Sequence, residues 1–324
     1  MHASRKWILV LGHRSISWPL LLTYSILLVQ GQNRAARDLV LRADGNLVLV
    51  PVTVRDRMGR VVANLQEDQF RVFDENEVQD IVFFNSETVP YSVGLVVDLS
   101  HSMKKEMSSA LSALGEFFKS ANTEDEAFLV SFSARPELRI GFTQKLVEIQ
   151  NSLILEQPRG RTALIDAILL SLRQMQSARN PRKALIVISD AGENNSIYSK
   201  SELLRVAMEV DVQIFSVVVQ NGPRGKVHFR KKLRLPTVQQ QSGKSFLKKL
   251  AKLTGGLHFV VRYQLGDVMT QIGAALREQY VIGYYPQRSF SEHKWRRIRV
   301  KLDARGRGPL RAYAPSGYYT PEGR

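Results

Sequence analysis

In Asp98-Leu99-Ser100-His101-Ser102, one carboxylate and two hydroxyls alternate with other residues, a cluster of hard oxygen ligands. Oxygens of this kind suit Mg2+, Mn2+ or Ca2+ rather than zinc or copper. Two further oxygens come later in the chain. Thr162 offers a hydroxyl within Gly160-Arg161-Thr162-Ala163-Leu164, and Asp190 offers a carboxylate in Ser189-Asp190. The first motif alone is weak, because an Asp or Ser ahead of a helix usually serves as its N-cap. The three pieces together, in this order, make a candidate cation site of Asp98, Ser100, Ser102, Thr162 and Asp190.

Such a site needs elements that deliver each piece to one place. Val93 to Leu99 is a continuous apolar run, as expected of a strand buried on both faces of a parallel sheet. Met107, Leu111, Leu114 and Phe118 form one helical stripe within 103–120. Strands are expected at 127–132, 138–142, 184–188, 212–219 and 257–261, and helices at 164–175, 202–210, 246–253 and 268–276. This alternation predicts a doubly wound, mainly parallel α/β sheet. In such sheets ligands sit beyond the carboxyl ends of the strands, where Asp98 and Asp190 fall.

The flanks read differently. Val48, Val50, Val52 and Val54 share one face of a strand, and 70–73 and 78–84 read as two more. After Tyr280, strands are expected at 280–285 and 295–302, the second with Arg297, Arg299 and Lys301 on its outer face. Neither group has enough strands for a stable core alone. Residues 46–90 and 280–320 are therefore expected to build one small β domain, interrupted by the α/β domain at 91–279.

The Asp98-Leu99-Ser100-His101-Ser102 loop with Thr162 and Asp190 resembles the metal-ion-dependent adhesion site of von Willebrand factor A domains. The likeness covers about Tyr91 to Gln279. Leu65, Phe70, Val72 and Phe73 before it, and Tyr284-Tyr285-Pro286 and Gly317-Tyr318-Tyr319 after it, resemble a bacterial group of exported relatives. The resemblance implies that Ser100, Ser102 and Thr162 supply hydroxyl ligands, with Asp98 and Asp190 binding directly or through water. It also implies a cation that keeps net positive charge and takes an acidic side chain of a protein partner. Two departures stand out: many relatives have Gly at the position of His101, and many have Gly directly after the last Asp, where this chain has Ala191-Gly192.

Composition narrows the alternatives. With no cysteine in 324 residues, disulfides, thiolate zinc sites, Fe–S clusters and a Cys nucleophile are excluded. No His-x-x-x-His spacing, Gly-x-Ser-x-Gly elbow or Asp-x-Asp pair occurs, so an enzyme is not expected. Gly243-Lys244-Ser245 has the ending of a phosphate-binding loop, but Val238 stands where the first Gly is required; it reads as a helix start. Lys and Arg total 46 against 30 Asp and Glu, a net charge of +16. Arg230, Lys231 and Lys232 lie in a basic stretch, 222–243, expected to be a long loop open to an anionic partner.

Residues 1–31 read as a signal peptide or N-terminal anchor. Arg5, Lys6 and Arg14 precede an apolar run from Trp18 to Val29, too short for the about 20 residues of a spanning helix. Export to the periplasm, cell surface or medium follows. The leading expectation is an exported, cation-dependent, adhesion-type module that grips a protein partner's exposed Asp or Glu. The alternative is a basic surface-binding protein recognising nucleic acid or an anionic envelope polymer, its metal site vestigial.

Overall fold

Four strands with almost no exposed surface form the centre of a six-stranded sheet. They are β5 (Tyr91–Asp98), β6 (Glu126–Phe132), β8 (Arg182–Ser189) and β9 (Gln213–Val219). The computed structural model describes residues 47–154, 156, 158–220, 238–287, 294–303 and 306–320, all in one compact unit. The signal-peptide reading of 1–31 and the basic Arg230, Lys231 and Lys232 lie outside them. Among the described residues no helix is long and apolar enough to cross a membrane.

The sheet runs β10-β9-β8-β5-β6-β7, with β7 (Pro136–Thr143) antiparallel and β10 (His258–Val261) parallel at the far edge. This is the mainly parallel, doubly wound fold that the alternation predicts. Apolar side chains leave both faces because helices cover both. Val93, Leu95 and Val97 pack under α1 (Met107–Phe118), α2 (Leu146–Ile154) and α6 (Leu265–Arg277). Val96, Val130 and Val187 pack under α3 (Leu164–Gln174), α4 (Lys200–Glu209) and α5 (Val238–Leu253). After β5 the chain builds outward through β6 and β7, then returns to add β8 on the other side. The crevice between the carboxyl ends of β5 and β8 is the switch point of such a sheet.

Strands from either side of this domain pair with one another. β1 (Val48–Arg55) lies between β11 (Tyr280–Tyr284) and β13 (Arg311–Tyr313), and β4 (Ile81–Asn85) flanks β11. β12 (Trp295–Leu302) lies between β2 (Phe70–Asp74) and β14 (Gly317–Tyr319), and β3 (Glu77–Gln79) flanks β2. Val50, Val52 and Val54 meet Phe70, Val72, Ile282 and Ile298 in one shared core. The single strand expected over 78–84 is instead two: the chain leaves one sheet at Gln79 and enters the other at Ile81. Exposed Asp80 makes that step on the surface, so the period-2 pattern does not register the switch.

The sandwich is fastened at the amino edge of the parallel sheet, opposite the candidate site. Arg182, the first residue of β8, donates to the carbonyls of Glu87 (2.9 Å), Leu276 (3.0 Å) and Gln279 (3.1 Å). Gln279 donates to Gln213 at the start of β9 (2.8 Å). Both chain crossings between the domains are thereby tied to the sheet.

Inside the sandwich, Asp74 is fully buried and accepts from Arg296 Nε (2.9 Å), the Tyr284 hydroxyl (3.0 Å) and the Tyr318 hydroxyl (2.9 Å). Tyr284 belongs to one sheet and the other three to the second, so this cluster joins the two. Burial raises the pKa of both phenols, which stay protonated as donors. Asp74→Ala strands the buried guanidinium and is expected to cost about 3–5 kcal/mol in urea unfolding. Exposed Val78→Ala, on the neighbouring strand, serves as control, and a loss for Asp74→Ala no larger than the control's would contradict the clamp.

Candidate metal centre

Asp98 ends β5 inside the protein, with no exposed surface. Its Oδ1 accepts the Ser100 backbone N–H (2.8 Å) and its Oδ2 accepts the Ser189 hydroxyl (2.5 Å). Ser189 ends β8, so the carboxylate bridges the two strands that border the switch point. The turn at Ser100 sets the two serine hydroxyls together, Oγ to Oγ at 3.1 Å, while His101 between them faces solvent. His101 N–H reaches the Gly160 carbonyl (3.5 Å) and Arg159 N–H reaches that of Leu99 (2.8 Å). These bonds lay the Thr162 loop against the first loop.

Thr162 and Asp190 are each only 4% exposed. A Cβ added to Gly192 would lie 3.1 Å from Asp190 Oδ1 and 3.4 Å from Thr162 Oγ1, so these two oxygens face the same point. Thr162 is held from both sides: its N–H donates to Asn194 Oδ1 (3.0 Å), and its carbonyl accepts from Asn194 N (3.0 Å) and Asn195 N (3.1 Å). Asp190 accepts from Gly192 N–H and from Gln240 Nε2, both at 2.9 Å. The three sequence pieces therefore meet at the carboxyl edge.

The electrostatics are unusual for a buried pair. Burial pushes the Asp98 carboxyl up to about 6; the Ser100 and Ser189 hydrogen bonds pull it down, and the charge of Asp190 pushes it up again. Among the described residues neither carboxylate has a Lys or Arg partner, only neutral donors. Nor does any group of three His, Cys, Asp or Glu stand close enough to hold a metal. The donor set here is two carboxylates and three hydroxyls, hard oxygens of the kind that fit a divalent cation.

Gln240, Ser189 and Gly243 were not legible as parts of this site. Gly243 does not start a helix; α5 begins at Val238, and 238–243, expected as loop, form its first turns. A Cβ on Gly243 would lie 1.9 Å from the Ala191 carbonyl oxygen. Glycine lets α5 press onto the loop after Asp190, which brings Gln240 to its carboxylate. Ala191 itself sits at φ +65°, the left-handed region that favours glycine and costs other residues about 1–2 kcal/mol.

Residues 93–193 match the family model of the von Willebrand factor type A domain. The chain carries a von Willebrand factor type A domain. Domains of this family mediate protein–protein interaction or adhesion and commonly bind a divalent metal at an adhesion-site motif. No curated protein matches the chain in sequence. Among solved structures it is similar to a von Willebrand factor type A protein from Catenulispora acidiphila, at 11% identity and TM-score 0.48 over 78% of this chain and 75% of that one. An aerotolerance-related membrane protein from Bacteroides fragilis is similar at 15% identity and TM-score 0.46, over 57% and 98%. Proximal thread matrix protein 1 from the mussel byssus, with a zinc-occupied MIDAS motif, is similar at 15% and 0.44, over 64% and 50%.

The raised carboxyl of Asp98 in the type A domain predicts a pH dependence. Between about pH 4 and 6 the folded chain holds a proton that the unfolded chain has released. Cation-free protein should therefore lose stability as pH rises through 6, by an amount on the order of 3 kcal/mol. Asp98→Asn should remove this loss. Urea unfolding of both proteins in chelator from pH 4.5 to 8 measures it, and parallel curves would contradict the burial account.

Proposed function

We propose that the type A domain is a cation-dependent, adhesion-type binding module and not an enzyme. Ser100, Ser102 and Thr162 would hold the ion, Mg2+ first and Mn2+ or Ca2+ as alternatives, with Asp98 and Asp190 contributing charge directly or through water. An exposed Asp or Glu of a protein partner would complete the shell. The carrying observation is the pair of buried carboxylates whose partners among the described residues are all neutral donors, beside three hydroxyls. A cation there supplies the charge the protein withholds. Binding rather than catalysis is favoured because the sequence carries no Gly-x-Ser-x-Gly elbow, His-x-x-x-His spacing or Asp-x-Asp pair.

Export places such a module in the periplasm, on the cell surface or in the medium, with 1–31 as signal peptide or anchor. The test is retention of partner proteins on immobilised protein in Mg2+, with elution by chelator or by salt. Release by chelator, and loss of retention in Asp98→Ala with an unchanged circular dichroism spectrum, are expected. Chelator-resistant, salt-sensitive retention by Asp98→Ala would instead favour the basic surface-binding reading.

A further inference from the structure

The outer face of β12 carries a row of positive charge that the α/β domain does not use. Arg296, Ile298, Val300 and Leu302 point into the sandwich, which leaves Arg297, Arg299 and Lys301 exposed on the other face. Arg71 on β2 stands opposite Lys301 and is exposed with them. Alternate residues of a strand lie about 6.6 Å apart, so the row is straight and regularly spaced.

Its charge is largely uncompensated. Among the described residues Glu75 is the carboxylate that pairs with the row, 3.8 Å from Arg297. Arg299 donates to neutral Asn76 (2.6 Å), and the Lys301 ammonium rests over the Phe73 ring (4.9 Å). No carboxylate among the described residues pairs with Arg71, Arg299 or Lys301. Asp68 and Asp303 lie at the Lys301 end, where the Asp303 N–H donates to the Gln69 carbonyl (2.8 Å). At the other end Trp295 and Tyr319 face each other across strands, rings 5.2 Å apart and edge to face. Gly317 leaves room for the indole: a Cβ there would lie 2.7 Å from it.

We propose that this face binds single-stranded nucleic acid, with the β12 row tracking the phosphates and Trp295–Tyr319 receiving a base. A straight row of cations ending in an aromatic pair matches the two components of sequence-tolerant single-strand recognition, backbone charge and base stacking. The rings are half-buried and do not project as insertion into a bilayer requires. This surface is independent of the cation site and lies on the other domain.

The test is fluorescence anisotropy of labelled oligo(dT) with the full chain in chelator, across a salt series. Arg299→Glu with Lys301→Glu should weaken binding at least tenfold and flatten the salt slope by about two. Lys119→Glu with Lys145→Glu, the same charge change elsewhere, should weaken it less than about threefold. Trp295→Ala should cost about tenfold for oligo(dT) and nothing for inorganic polyphosphate. Asp98→Ala should bind as the unaltered chain does. Equal losses in the two double variants would overturn the proposal. So would loss only on reversing Arg230, Lys231 and Lys232, polyphosphate binding as sensitive to Trp295, or capture of anionic vesicles but not oligo(dT). Thermal unfolding of each variant separates loss of binding from loss of fold.

Discussion

A carboxylate without water must be held by something, and Asp98 is held by the ends of two strands. Its oxygens take the Ser100 amide and the Ser189 hydroxyl, one from the loop it begins and one from β8. These bonds offset only part of the cost of burial, since the carboxyl still lies near 6. The parallel pairing of β5 with β8 fixes the register that makes the second bond available. The doubly wound topology therefore does more than offer a crevice there. It brings two buried carboxylates together with only neutral donors around them among the described residues.

The rest of the architecture divides between holding that edge and holding the opposite one. At the site, α5 presses on the Ala191 carbonyl through Gly243 and delivers Gln240 to Asp190. Ala191 keeps a positive φ at that contact. At the amino edge, Arg182 and Gln279 tie both interdomain crossings to the sheet, and the sandwich is clamped internally around Asp74. The fixed end and the ligand end of the sheet are thus separated by the length of its strands.

Much of this was legible because hydrophobic pattern reports burial. The uniform apolar runs of β5 and β8 announced two-sided burial, and Val50, Val52 and Val54 announced one-sided burial. The helix Leu146–Ile154 escaped because only Ile149 and Leu153 are fully buried in it, too few for a clear stripe. The strand switch at Asp80 escaped because both sheets bury the same periodicity. Within the site, Asp98, Ser100 and Ser102 were legible as spacing, and Thr162 and Asp190 as oxygens next to strand or helix ends. Gln240 was not, since its role depends on α5 meeting a loop 50 residues earlier through Gly243. The left-handed φ of Ala191 marks a position that glycine would occupy with less strain.

The most direct measurement is anomalous diffraction from crystals of this protein grown with Mn2+. The account predicts one strong peak bonded to Ser100 Oγ and Ser102 Oγ at about 2.0–2.6 Å, with Thr162 and Asp190 lining the same site. Crystals at full Mn2+ occupancy elsewhere, with no peak at the ends of β5 and β8, would contradict it.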